Sequence, residues 1–145
     1  MIIQKAAKKD LKGLLELYCH LNMDSVPPID AKIKKLWKLI LKSRYQHIII
    51  GRYGKKIVSS SVLAIVDNLT RDQRPYALIE NVVTHKDYRK RGFATAILNY
   101  AKDLAKSKNC YKIMLLTGSK DKATLRFYEK AGYNSQDKTA FVQWL

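Results

Sequence analysis

Six consecutive residues, Arg89-Lys90-Arg91-Gly92-Phe93-Ala94, follow the apolar segment Ala77 to Thr84 and open the helical pattern Thr95 to Lys106. A strand, a basic glycine-bearing turn and a helix start form a seat for a diphosphate. The first N–H groups of a helix have no internal partner, and the aligned peptide dipoles place about half a positive charge there. Gly92 has no side chain to block an approaching oxyanion, and Arg89 and Arg91 add charge-assisted hydrogen bonds. The same string also suits a nucleotide, a phosphosugar or a nucleic-acid backbone, and an ordinary solvated helix start is written much the same way. Glu80 is the second residue with chemistry to offer. It is one of three glutamates and stands inside an apolar strand, where burial costs several kcal/mol, on the order of 2–7, unless the carboxyl is paired or its pKa raised. Such a group can move protons; it can equally form a salt bridge or face solvent from a sheet edge. Asn81 points to the opposite strand face by the period of two, so one of the pair lines a pocket.

The elements that position these residues follow from periodicity. Met1 to Ala6 reads as a first strand, and Leu11, Leu14, Leu15 and Tyr18 recur at helical spacing behind Asp10 as N-cap. Val26-Pro27-Pro28 breaks that helix, and Asp30 caps a second whose inner face reads Ile33, Leu36, Trp37, Ile40 and Leu41. Tyr45 to Tyr53 and Lys56 to Val66 are β-rich and turn at Tyr53-Gly54-Lys55, which predicts an antiparallel pair. After the polar loop Asn68 to Pro75 comes the strand Tyr76 to Thr84. A third helix then buries Ala94, Ile97, Leu98, Ala101 and Leu104. The strand Tyr111 to Thr117, a fourth helix from about Asp121 to Ala131 stopped by Gly132, and the β-prone end Ala140 to Leu145 complete the chain. The order β-α-α-β-β-β-α-β-α-β implies an α/β fold of the α+β type. It has one mixed sheet, parallel where strand–helix–strand crossovers occur and antiparallel at hairpins.

The 145 residues are enough for one domain with one sizeable core, and no repeat or linker interrupts them. No stretch of eighteen apolar residues exists, and Lys5, Lys8, Lys9 and Asp10 interrupt the start, so no membrane span is expected and the cytoplasm is the expected location. Cys19 and Cys110 lie far apart with no companion ligands, which argues against a disulfide or a metal site. The net charge of +16 invites a nucleic-acid reading. Its distribution argues otherwise: Lys outnumbers Arg by 21 to 7, the lysines are scattered, and no aromatic set interleaves with them to stack bases.

Two stretches carry a resemblance. Ile79-Glu80-Asn81-Val82-Val83-Thr84-His85-Lys86-Asp87-Tyr88-Arg89-Lys90-Arg91-Gly92-Phe93-Ala94 and Phe127-Tyr128-Glu129-Lys130-Ala131-Gly132-Tyr133 closely resemble the GNAT superfamily of acetyl-CoA-dependent N-acetyltransferases. The element order is similar over the whole chain. The Glu-Asn-Val-Val strand and Cys110-Tyr111-Lys112-Ile113 look similar to glucosamine-6-phosphate N-acetyltransferases within it. The resemblance implies acetyl-CoA as acetyl donor, no metal, and a diphosphate held by the backbone amides of Arg91, Gly92, Phe93, Ala94 and Thr95. Arg89 heads the motif, Lys90 and Phe127 flank the coenzyme, and Ala94 stands where Gly is commoner. It implies a pantetheine arm lying along Val82 and Val83, and Asp121 where many members carry a coenzyme-binding Asn.

An amine that attacks a thioester must lose a proton, and the departing thiolate must gain one. By resemblance Tyr128 is the acid, since a phenol with an unperturbed pKa of about 10 is still protonated at neutral pH. Periodicity alone makes Tyr128 a core aromatic of its helix. Glu80 is the candidate base, directly or through water. His20, His47 and His85 read as surface or loop histidines. Acceptor recognition is expected from the first two helices and the Asn68 to Pro75 loop, with Asn81 in the pocket and Arg71 and Arg74 as clamps for an acidic acceptor, or as solvated loop charges. The acceptor is expected to be a small amine such as an amino sugar or amino acid derivative. A protein or aminoacyl-tRNA docked on the basic second helix is the alternative within the enzyme class, and a non-catalytic acetyl-CoA sensor or nucleic-acid-binding module the alternative outside it. A homodimer joined through Phe141 to Leu145 is also expected, because an exposed apolar strand otherwise aggregates.

Overall fold

A computed structural model describes residues 1–145. Its elements are β1 (Ile2–Lys5), α1 (Leu11–Tyr18), α2 (Ala31–Lys42), β2 (Gln46–Tyr53), β3 (Lys56–Val66), β4 (Tyr76–Thr84), α3 (Phe93–Ser107), β5 (Ile113–Leu115) and α4 (Lys122–Lys130), with short 3-10 turns before α1 and before α3. One five-stranded sheet has the order β1-β2-β3-β4-β5. The first three pairings are antiparallel, and β4 with β5 is parallel. The hairpin closes with Tyr53 opposite Lys56 across Gly54-Lys55. The predicted crossover from β1 to β2 is corrected. Two helices double the chain back, so Ile2 pairs antiparallel with Arg52.

Apolar side chains alternate between the two sheet faces. On one face Ile49, Leu63, Ile65, Ala77 and Ile79 pack on Ile97, Leu98, Ala101 and Ala105 of α3, and Phe127 and Tyr128 of α4 join this layer. On the other, Ile48, Ile50, Val62 and Val83 pack on Leu14 and Leu17 of α1 and Trp37 of α2. The α2 start is capped as expected, Asp30 accepting from the Ile33 N–H at 2.9 Å. Asp10 acts differently: its buried carboxylate pairs with Arg52 of β2 and accepts the Ala7 N–H, rather than capping α1. Leu36, expected on the inner face of α2, is exposed, because the face turned to the sheet runs through Trp37, Ile40 and Leu41, the Trp37 indole N–H donating to the Lys8 carbonyl.

The expected terminal strand does not form. Residues 134–145 have no regular structure and every one of them is exposed. No helix is long and apolar enough to cross a membrane.

Candidate active site

The site begins where β4 and β5 part. Their parallel ladder ends with Ile79 opposite Leu115, while β4 runs on to Thr84. Between Glu80 and Val83 the register against β3 slips, Val62 facing Glu80 and Ser60 facing Val83. The extra residue is Asn81, at φ +52°, a left-handed conformation that Asn tolerates better than most residues. The bulge resets the alternation. Glu80 shares the α1 and α2 face with Val62, Val82 turns to the α3 face, and Val83 returns to the α1 face.

Beyond the bulge β4 has β3 as its one partner, and hydrogen bonds show which groups that uses. The Val83 carbonyl accepts from the Ser59 hydroxyl at 2.9 Å, and the His85 N–H donates to the Val58 carbonyl at 2.8 Å. Residues 83 and 85 therefore face β3, and by alternation the main chains of Val82 and Thr84 face the open side. The Thr84 carbonyl there accepts from the Arg89 side chain at 3.2 Å. This refines the expectation for Val82 and Val83, because Val83 is buried and its carbonyl is spent on β3.

The open edge leads to the start of α3. Gly92 is its N-cap at φ +80°, a conformation that costs an L side chain roughly 1–2 kcal/mol. With no side chain at the cap, the N–H groups of Phe93, Ala94 and Thr95 find no acceptor in the protein, and the first helical bond is Ala96 N–H to the Gly92 carbonyl at 3.0 Å. Three unpaired donors on the positive end of a fifteen-residue helix are what a diphosphate requires.

These elements enclose a cleft of about 530 Å³ lined by Val82, Val83, Thr84, Tyr88, Arg89, Lys90, Gly92, Phe93, Ala94 and Thr95 on one side, Ala123, Thr124, Phe127 and Tyr128 on the other, and His20 and Leu21 at its rim. The structure thus brings together ten of the residues singled out in the sequence. Phe93 contributes main chain, since its side chain is buried against Gly51. Arg91 lies over the Tyr88 ring at 5.2 Å. Tyr128 is half-buried in the cleft wall and its hydroxyl has no hydrogen-bond partner in the protein, while burial pushes its pKa above the usual phenol value.

Several expectations change. Of the alternatives open for Glu80, the structure shows the solvent-facing one, where the bulge falls past the end of β5. Asn81 is exposed at the bulge itself. Neither side chain lines the cleft; Glu80 lies on the opposite face of the sheet from Tyr128. Asp121 caps α4, its carboxylate held below the usual range by the Thr124 N–H and then the Thr124 hydroxyl. Arg71 and Arg74 sit at the other end of β4. Arg74 donates to the Asn109 and Cys110 carbonyls at 3.2 and 3.3 Å, and Arg71 stacks on Tyr111 at 5.7 Å, so neither reaches the cleft as an acceptor clamp.

Sequence reading missed the cleft's His20, Leu21, Thr84 and Tyr88 and took His85 as a surface or loop histidine; it stands in the loop after β4. His85 is buried, its ring 4.0 Å from that of His20 and its Nε2 2.9 Å from Lys56 Nζ. Burial first, then His20 and Lys56, holds its pKa below the usual imidazole value. Counted from the bulge, residue 85 continues the inward face of Val83, a count that only the observed register supplies.

The comparisons bear on the family and the fold. A family model described as Acetyltransferase (GNAT) family matches residues 11–133. The glucosamine 6-phosphate N-acetyltransferase of Trypanosoma brucei brucei is 31% identical over 138 residues, covering 90% of this chain and 87% of the relative. A solved structure from Agrobacterium tumefaciens str. C58, described as a candidate acetyltransferase, superposes with a TM-score of 0.91 at 40% identity over the whole of both chains. The glucosamine-6-phosphate N-acetyltransferase of Arabidopsis thaliana shares the fold, with a TM-score of 0.85 at 22% identity over 99% of this chain and 97% of that one. The chain belongs to the GNAT family of acetyltransferases, enzymes that use acetyl-CoA.

Proposed function

We propose that this enzyme transfers the acetyl group of acetyl-CoA directly to the primary amine of a small acceptor, with both substrates bound together. The observation that carries the reading is the open main-chain edge at Val82 that leads to the unpaired N–H groups of Phe93, Ala94 and Thr95, with the unpartnered Tyr128 hydroxyl across the cleft. An added strand of polar arm along Val82, with a diphosphate on the α3 start, satisfies those groups. Arg89 and Lys90 flank that diphosphate, and the exposed Asp121 lies beyond the cleft as the cap of α4.

Bound acetyl-CoA supplies an activated thioester. Glu80 takes the proton from the attacking amine on the α1 face, directly or through a water that its exposure admits. Tyr128 gives its phenolic proton to the departing sulfur, and its raised pKa keeps that proton in place through the neutral and mildly alkaline range. An amino sugar is the acceptor class supported by the name of the trypanosomal relative. A macromolecular acceptor is favoured by one observation, the exposed Leu36 and Leu39 among the lysines of α2.

Release of free coenzyme A thiol over a panel of amino sugars, amino acid derivatives and peptides tests the reading. Turnover is expected with an amino sugar such as glucosamine 6-phosphate, and Tyr128→Phe is expected to lower kcat on the order of 100-fold with little change in KM. No thiol release from any amine would sink the catalytic reading, and a Tyr128→Phe enzyme as fast as wild type would remove the acid.

A further inference from the structure

We propose that His20 and His85 are positioning residues for the donor: their stacked rings tie the connection between α1 and α2 to the turn that leads into α3, and so hold the rim of the cleft over bound acetyl-CoA. This role rests on the reading of that cleft as the donor's seat. The connection has little else to hold it. His20 and Leu21 turn back on the end of α1, their N–H groups donating to the Leu17 and Tyr18 carbonyls at 2.9 Å. From Asp24 to Ile29 no hydrogen bond joins the chain to the body of the protein, and Leu21 and Val26 are exposed. A segment held this lightly samples many conformations, and a ligand that orders it on binding loses affinity.

The anchor is firm. His85 follows β4, and its main chain is fixed on both sides: the N–H donates to the Val58 carbonyl at 2.8 Å, and the carbonyl accepts the Tyr88 N–H at 2.9 Å. Its side chain is buried, with the His20 ring 4.0 Å away at 49° between the planes. Tyr88 meets His85 edge-on at 5.4 Å, and the Arg91 guanidinium lies over Tyr88 at 5.2 Å. These are the separations that stacked rings and cations over rings prefer. Four side chains thus run in succession from the end of α1 to the residue before Gly92, the N-cap of α3. His20, Leu21 and Tyr88 line the cleft and His85 does not, so His85 acts through its neighbours.

Charge gives the pair a signature. The His85 Nε2 is 2.9 Å from Lys56 Nζ, and Nδ1 is 3.3 Å from the Asp87 N–H and 3.7 Å from the Asp87 carboxylate. His20 faces this ring from the connection, Lys56 from β3, and Lys86 and Asp87 from its own turn. A neutral imidazole keeps one nitrogen free to accept. A second proton removes that acceptor and sets a positive ring against Lys56 and His20, with Asp87 alone to offset it. In acid the stack loosens and the rim is released.

Calorimetry of acetyl-CoA binding to the full chain tests the pair without turnover. At about pH 8, His20→Ala is expected to weaken binding about fivefold, and His20→Phe, which keeps a ring on His85, to leave it within about twofold. At about pH 5.5, wild type is expected to bind about fivefold more weakly than His20→Phe, because an uncharged ring does not repel the His85 cation. The ligand's own titration is common to both proteins and cancels. Lys56→Met, outside the cleft, is expected to move the acid loss to higher pH, since Lys56 helps to hold the His85 pKa down. Equal affinities of wild type and His20→Ala at the higher pH overturn the pair, as does a ratio of wild type to His20→Phe that does not change with pH. An acid loss unmoved in Lys56→Met overturns His85 as the group that titrates. A wild type that binds no acetyl-CoA at any pH overturns the donor reading itself.

Discussion

A carboxylate removed from water must have compensation, and Asp10, 2% exposed, has two partners: the Arg52 guanidinium and the Ala7 N–H. Removing one member of such a pair leaves the other charge without its partner, so Asp10→Ala is expected to cost about 3 kcal/mol in urea denaturation. Asp30→Ala, which removes an exposed cap, is expected to cost about 1 kcal/mol. Equal costs would refute the assignment of Asp10 as the tie between the α1 start and β2. Tyr133 carries a different prediction. Burial, then the Tyr128 hydroxyl, pushes its pKa up to about 12. A phenol raised in the folded state contributes stability that is fully present below pH 10 and lost between about 10 and 12, because over that window the folded chain holds a proton that the unfolded chain has released. Tyr133→Phe is expected to flatten the fall in stability over that window, and an unchanged slope would assign the alkaline loss elsewhere. At this scale Tyr128, Gly92 and Arg89 were legible because their neighbours spell a pattern. The exposure of Glu80 stayed open, since an apolar strand looks alike whether or not a neighbour covers it, and here β5 stops one residue short. Arg74 was misplaced for a related reason: its carbonyl partners lie thirty-five residues away.

Among the elements, α4 links residue chemistry to fold. It carries Phe127 and Tyr128 into the cleft wall, none of its residues is fully buried, and its first turn is held by the Asp121 cap at 2.9 Å from the Thr124 N–H. A short, lightly packed helix depends on its cap more than a buried one does. Asp121→Ala is therefore expected to lose about 1 kcal/mol of stability and to lower kcat through displacement of Tyr128, whereas Asp121→Asn retains the cap and both properties. If Asp121→Ala left kcat unchanged, the cap would have no bearing on the acid's position. Several helix boundaries were legible from a cap or a stop: Asp30, Gly92, Asp121 and Gly132 all stand within two residues of an observed helix end. The bulge at Asn81 was not, because nothing local distinguishes a strand that slips by one residue from one that does not. Yet that slip places Glu80 and Val82 on opposite faces of one open edge.

For the whole molecule, the sheet and its two helical layers followed from alternation and helical spacing. Composition made the terminus read as a strand, yet no edge of the sheet receives it and it has no regular structure. The same limit applies to the charge. Local reading gives +16 and a scattered distribution, and the fold adds one fact, that Arg89 and Lys90 line the cleft where α3 presents its free N–H groups. A field of one sign around such a cleft speeds the arrival of an anion without changing the chemical step. It reaches about 30 Å in 0.01 M salt and about 8 Å at 0.15 M. The second-order rate with acetyl-CoA, kcat/KM, is therefore expected to fall about tenfold between low salt and 0.5 M, while kcat under saturation holds steady. Exchanging Arg89 and Lys90 for Gln should reduce the slope, whereas exchanging Lys102 and Lys106 on α3, outside the cleft, should reduce it less. A kcat/KM independent of salt would show that the net charge does not guide the donor, and equal slopes for the two pairs would show that only its total matters.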